Sequence, residues 1–451
     1  MDAADLDRQA RTLSGCIPPL LVSRLLELGY GEEVACQAGR GDWFCAREWT
    51  RLLGDQGRQA EALEVLAPYV ATGWWPAARA QAELLESWGR AEEAIVLARP
   101  YARTGGLPLE FLARLLARHG RKDEAVTLLS NGIEDQLLAA ALVDITEGTD
   151  RDEEIAALLA ARIPDRHRCD SPWCCRGLDP DTAIGLLAVI RERQGRVDEA
   201  IALLHTRHIT SVNNHDQLAD LLARHDRIDE LRAYAASAHH GHAARRLAEV
   251  LEGRGDVEGA IAVYRQPDHS PAPQRHDAVQ LAQLLARHGR GDEAIEVMRT
   301  LVDSPGGADD WIVDTACTLY ADHGRAQDGL AHLDALKARR DGEEEGDFFR
   351  MRLRLMADCG LLDEAVEQAR AHPEGDTSYA AWTISDMLAE AGRAEEAVAV
   401  LEPHAPAHSS ALAGHLIDLG RVKDAVALLQ PREPEPATPV WTGTFSTESP
   451  S

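Results

Sequence analysis

Four soft metal ligands, His167, Cys169, Cys174 and Cys175, fall within the single stretch HRCDSPWCC. Thiolate and imidazole are the donors that tetrahedral zinc favours, so the chemistry on offer is metal binding or thiol redox chemistry. Adjacent cysteines suit one tetrahedral site poorly, however, and no C-x-x-C pair accompanies them. We read the stretch as a loop with incidental thiols and expect no cofactor, with a metal or thiol protein as the alternative. Trp173 lets the same loop be read as a partner contact. His239, His240 and His242 form a second group that lacks a distant third ligand set, and we read it as a loop.

A different chemistry, recognition by aromatic and cationic side chains, is on offer near the start. Five of the nine tryptophans, Trp43, Trp49, Trp74, Trp75 and Trp88, crowd into one short region. Trp43, Phe44, Arg47, Arg51, Trp74, Trp75 and Arg79 make a candidate partner-binding surface. Exposed Trp and Arg are over-represented at binding hot spots, and the guanidinium fork matches a carboxylate. The alternative is that these tryptophans fill a core, and Trp49 and Trp88 are the first choices for that role. Signatures of catalysis are missing: no G-x-x-x-x-G-K-[ST] phosphate loop, G-x-S-x-G elbow or H-E-x-x-H pair occurs. RGD occurs from Arg40, Arg254 and Arg290, but the last two belong to a recurring turn, which dismisses an adhesion role.

That turn reveals what must position these residues. The stretch LARLLARHGRKDEAVTLL from Leu112 nearly returns from Leu218 and from Leu281. Taking the Gly of HGR as anchor, equivalents fall at Gly29, Gly57, Gly89, Gly120, Asp150, Gly195, Asp226, Gly255, Gly289, Gly324, Gly360, Gly392 and Gly420. Thirteen anchors at about 30-residue spacing mark a repeat array. Within one repeat, Leu112, Leu115 and Leu116 form a stripe at helical period, and Gly120 ends that helix. Asp123 and Glu124 then open a second helix, where carboxylates suit the positive end of the dipole. His119, His225, His288 and His323 all precede the turn residue, where a cation faces the first helix's negative end. Two helices of a dozen residues cannot bury their apolar faces alone, so neighbouring repeats must stack. The fold class is therefore all-α, an α-solenoid of about thirteen helix–turn–helix repeats.

The spacing resembles the tetratricopeptide repeat (TPR) family over roughly residues 20 to 430. Ala113, Leu116, Gly120, Ala125 and Leu129 match its pattern, as do Ala282, Leu285, Gly289 and Ala294. Repeat lengths vary, and Asp replaces the turn Gly at 150 and 226. The resemblance implies a right-handed superhelix whose groove, lined by first helices, binds peptides or proteins. On this register Trp43 and Trp75 stand fourteen residues before their turn Gly, and Phe44, Arg47, Arg51 and Arg79 fall on the groove side.

We expect one solenoid over residues 1–430, an insertion at 164–180, and a disordered Pro/Ser/Thr-rich tail at 431–451. Shorter interruptions start at Arg265, Asp303 and Arg339. The formal net charge of −28, from 75 acidic and 47 basic residues, repels phosphate backbones and anionic lipid. Neither nucleic acid nor a membrane is expected as the main partner. The acidic start lacks a secretory pattern, no apolar run suits a membrane span, and eight cysteines do not make a disulfide scaffold. The expectation is a cytoplasmic, non-enzymatic scaffold or adaptor that binds a protein or peptide. A regulatory sensor controlling a separate effector is the alternative. The partner's identity and self-association are not legible.

Overall fold

The computed structural model describes residues 2–163, 178–207, 211–212, 215–237, 241–265, 271–340, 346–373 and 375–430. The stretch His167–Cys175, most of the expected insertion at 164–180, His239, His240 and the tail 431–451 lie outside them. Among the described residues one helix, Ala3–Thr12, precedes thirteen helix pairs, from Pro19–Glu27 with Gly31–Gly39 to Ala405–Asp418 with Val422–Leu429. The chain is an all-α helical-repeat array. Its one departure among the described residues is a two-residue hairpin in which Ser211 pairs with Asp216 and Val212 with His215. The interruption expected from Arg265 is shorter than its composition suggests, because Pro271–Arg287 is already helix.

Each turn works by the same geometry. In the repeat of helices Gly106–Arg118 and Lys122–Ser130, Gly120 has φ 79° and its N–H donates to Ala117 O at 3.2 Å. The Arg121 N–H reaches back to Leu116 O at 2.9 Å, which satisfies carbonyls that the helix end leaves open. Asp226 takes the same left-handed position at φ 59°, which a short polar side chain tolerates. Its carboxylate pairs with Arg254 of the next repeat, a contact that glycine does not offer. Asp150 plays no such part: Gly148, with φ 71°, holds the left-handed position in that turn.

Packing explains the alanine five residues after the turn. Ala62, Ala94, Ala125, Ala200, Ala260, Ala294, Ala365, Ala397 and Ala425 are completely buried where the two helices of a pair cross. At the equivalent Gly329 a methyl group would lie 3.0 Å from Leu355 Cδ1 and 3.1 Å from Tyr320 Cβ. Close approach, not helix propensity, selects the small residue there.

The polar edge of the array is held by arginines. Arg121 binds Glu124 of its own repeat at 2.6 Å and Glu92 of the preceding one at 3.2 Å. Arg151 repeats this with Glu154 and Asp123, Arg196 with Glu199 and Glu153, and Arg227 with Glu230 and Asp198. Arg290 does so with Glu293 and Glu258, and Arg325 with Asp328 and Asp292. The acidic residues that open these second helices are therefore rungs between repeats as well as dipole partners. A second set joins first helices: Arg224 and His225 both bind Glu192, and Arg287 and His288 both bind Glu252. His225 and His288 thus gain the preceding repeat's carboxylate as a partner at their own helix end.

This ladder fixes a pH response. Hydrogen bonds from Arg58, Arg151, Arg196 and Arg290 hold Glu61, Glu154, Glu199 and Glu293 below the ordinary carboxyl value of 4.5. A depressed folded value means that the unfolded chain binds protons first as pH falls. The stability these groups supply is complete above pH 4.5 and is lost as pH drops below it. We expect urea midpoints to fall progressively below pH 4.5, and less steeply at 1 M salt, where exposed pairs are already screened. A midpoint that stays flat down to pH 3 would remove the ladder from the stability of the fold.

Contacts divide the chain into two compact units, Met1–Arg90 with Ala369–Ser451, and Ala91–Gln368. A single array over 1–430 is what repeat spacing suggests, since spacing reports only neighbours along the chain. Within the first unit, Val22 and Leu25 of the first repeat share a core with Leu412, Leu416 and Val426 of the last. Arg24 Nε donates to Asp418 Oδ1 at 2.8 Å, and Gln430 Nε2 to Gln37 Oε1 at 2.9 Å. No helix among the described residues is long and apolar enough to cross a membrane.

Candidate functional site

The aromatic members of the N-terminal surface are mostly interior. Trp43 is 4% exposed, and Phe44 and Trp74 are buried beside it in a core that also contains Leu6, Cys16, Ile17 and Tyr69. The Trp43 ring lies 5.0 Å from Trp74, edge to face, and 5.6 Å from Tyr69. This corrects the reading of Trp43, Phe44 and Trp74 as surface contacts: all three enter the core, where Trp43 packs against Trp74 and Tyr69 and these rings save area by covering one another. Trp75 is half-buried. Arg47, Arg51 and Arg79 are exposed, but Arg47 and Arg51 both bind Glu48, and Arg79 binds Glu83 at 2.8 Å. Trp49 and Trp88, the expected core members, are half-buried and lie over Gly31 and Gly54, where a methyl group would be only 3.3 and 3.0 Å away.

Helix geometry accounts for the difference. Trp43 stands fourteen residues before its turn glycine, whereas Trp311 stands thirteen before Gly324. One residue turns a helical side chain by about 100°, enough to move it from the core side to the open side. Trp311 is 45% exposed. Leu107 and Tyr379, also thirteen residues before their turns, are exposed as well, and so is His276. Phe44 shares this register and is nonetheless interior, in the core that the N-terminal helix completes through Leu6. The signal for an open aromatic side chain was the thirteen-residue offset, read away from the end of the array.

In the second unit His276 and Trp311 stand side by side. The His276 and Trp311 rings are 6.2 Å apart and inclined at 46°. His276, Gln280, Leu284 and Arg287 follow one another along a single face of helix Pro271–Arg287. The last three, with Arg245, Glu249 and Glu252 of helix Gly241–Gly253 and Tyr264 behind them, line a cavity of about 310 Å³. Burial pushes the Tyr264 hydroxyl above its ordinary value, so it stays protonated and able to donate. The Arg287 hydrogen bond holds Glu252 below its ordinary value, with His288 adding to it against partial burial. The walls therefore carry fixed charges of both signs around a hydroxyl and an amide, suited to hydrogen bonding a polypeptide backbone.

Among the described residues no group of three or more His, Cys, Asp or Glu is placed to hold a metal ion. Burial pushes the Cys16 and Cys317 thiols up to about 12, so neither is a thiolate near neutrality.

No family model matches the chain. No curated protein matches it either. Among solved structures it is similar to a chain of Naa15/Naa10 bound to HypK-THB, at 14% identity over 93% of this chain and 68% of that one, with a TM-score of 0.37. It is similar also to the pentatricopeptide repeat protein PPR10 from maize, at 14% identity over 91% and 71%, with a TM-score of 0.33. A tetratricopeptide repeat protein from Parabacteroides merdae ATCC 43184 gives 12% identity over 69% and 100%, with a TM-score of 0.28.

Proposed function

We propose that the chain is a non-enzymatic helical-repeat scaffold of the cytoplasm that holds a protein segment on the first-helix face of residues 241–322. The observation behind this reading is the exposed Trp311, packed beside His276 and continuous along one helix with the 310 Å³ cavity. An open aromatic anchor next to a polar cavity is the arrangement in which a few residues carry most of a binding energy. Support for binding over catalysis comes from the cavity's own charges: Glu252 and Arg287 pair with each other, and His288 joins them, in linking two repeats. The net charge of −28 favours a protein segment over a phosphate backbone.

The test is capture of partners from the native host's lysate, followed by cross-linking and mass spectrometry on the wild type and Trp311→Ala. Cross-links should map to residues 241–322. Loss of an anchor of this kind costs about 2 kcal/mol or more, which is roughly a 30-fold loss of affinity. The thermal midpoint should fall much less than for removal of the buried Trp43, because nearly half of the Trp311 surface is already in water. Cross-links confined to other repeats, or unchanged affinity, would overturn the proposal.

A further inference from the structure

Along the second unit the chain gives most of its helix-opening acids a cation of its own: Asp123 meets Arg151, Asp198 meets Arg227, and Asp292 meets Arg325. The acids around Trp311 belong instead to a first helix. Asp309 is held by Arg275 at 2.9 Å. Asp310, next to the tryptophan, and Asp314, one turn further along helix Asp310–Asp322, are both exposed, and neither has an ion-pair partner among the described residues. Two uncompensated carboxylates thus flank the exposed indole in sequence, on the first two turns of the same helix.

We propose, resting on the binding face described above, that the bound segment is cationic and that an arginine or lysine side chain from it stacks on Trp311 within reach of Asp310 and Asp314. The indole face is the best aromatic partner for a cation, because its quadrupole places negative charge above the ring. Guanidinium additionally offers forked donors to a carboxylate beside the ring. Proximity of the His276 ring limits the ways in which a planar group can lie on the indole, and a flat guanidinium suits that restriction better than a bulky aliphatic chain. The charge of the whole chain steers in the same direction: at −28 it speeds the approach of basic segments and opposes acidic ones.

The experiment is selection from a displayed library of random twelve-residue peptides on the full chain, followed by affinities of the selected peptides for defined variants. Arg and Lys should be enriched, and affinity should fall at least ten-fold in Trp311→Ala. It should fall comparably in Trp311→Leu, which keeps apolar area but loses the ring, and several-fold in Asp310→Asn with Asp314→Asn. Asp229→Asn, which removes an exposed charge paired with Arg232 elsewhere, should leave affinity unchanged. Selected peptides that are acidic or uncharged yet lost with Trp311→Ala would overturn the cationic partner and leave the face intact. Full retention in Trp311→Leu would overturn stacking. Basic peptides weakened as much by Asp229→Asn would show that net charge alone recruits them. Peptides indifferent to every change at Trp311 would remove both the inference and the face on which it rests.

Discussion

Trp43→Ala is expected to cost the fold about 3–5 kcal/mol, the range for removing a fully packed aromatic side chain from a core. The indole is 4% exposed and meets Trp74 edge to face at 5.0 Å and Tyr69 at 5.6 Å. Removing it exposes both neighbours to a void that rigid helices cannot close, so the loss comprises the transfer of the ring and the cavity left behind. In a repeat protein such a defect acts on its own repeat and the adjoining interfaces, so the transition should broaden as well as shift. Urea denaturation followed by far-ultraviolet circular dichroism measures it. Affinity of the folded variant for a captured partner should match the wild type, since this ring reaches no surface. A loss of stability below 1 kcal/mol together with lost binding would restore Trp43 to the partner site.

Much of the architecture could be read before any coordinates because repeats write local physics many times over. Gly120 and its equivalents show positive φ, Ala125 and its equivalents are buried, and the Leu112–Leu115–Leu116 stripe is core. What escaped was everything set by partners distant in sequence. The roles of Arg121 and Glu92 depend on the stacking of separate repeats, and the shared core of Val22 with Leu416 depends on where the two ends of the array meet. The aromatic site failed for a subtler reason. Composition drew attention to five crowded tryptophans, while exposure was decided by a one-residue offset, and a lone Trp311 at the open offset stood out in no count. The two Asp turns show both outcomes. Asp226 holds the left-handed position expected of it, whereas Gly148 relieves Asp150 of that task two residues earlier.

Asp42→Ala is expected to cost about 2–4 kcal/mol, combining a lost helix cap with two buried donors left without an acceptor. Asp42 Oδ2 accepts the Ile17 N–H at 2.6 Å, and Oδ1 accepts the Cys45 N–H at 3.0 Å at the start of helix Trp43–Asp55. Ile17 and Cys45 are both buried, so water cannot replace the lost oxygen. The carboxylate therefore ties the segment entering the first repeat to the opening of the second, while Tyr69 donates its hydroxyl to the Asp42 carbonyl at 3.1 Å. Asp42→Asn should cost less, because an amide oxygen still caps one N–H. Its penalty carries a pH signature opposite to that of the arginine ladder. Burial raises Asp42 above its ordinary 3.8, outweighing the hydrogen bonds from Cys45, Ile17 and Phe44 that favour the charged form. The folded state therefore keeps this proton longer than the unfolded chain, and the stability associated with it falls as pH rises from 3.8 through the raised value. Asparagine carries no such dependence. The stability difference between wild type and Asp42→Asn should accordingly be larger at pH 4 than at pH 7, measured in the same buffer and salt. A difference that grows with pH would mean that the ionised carboxylate is the favoured form in this core, held there by its hydrogen bonds against the cost of burial.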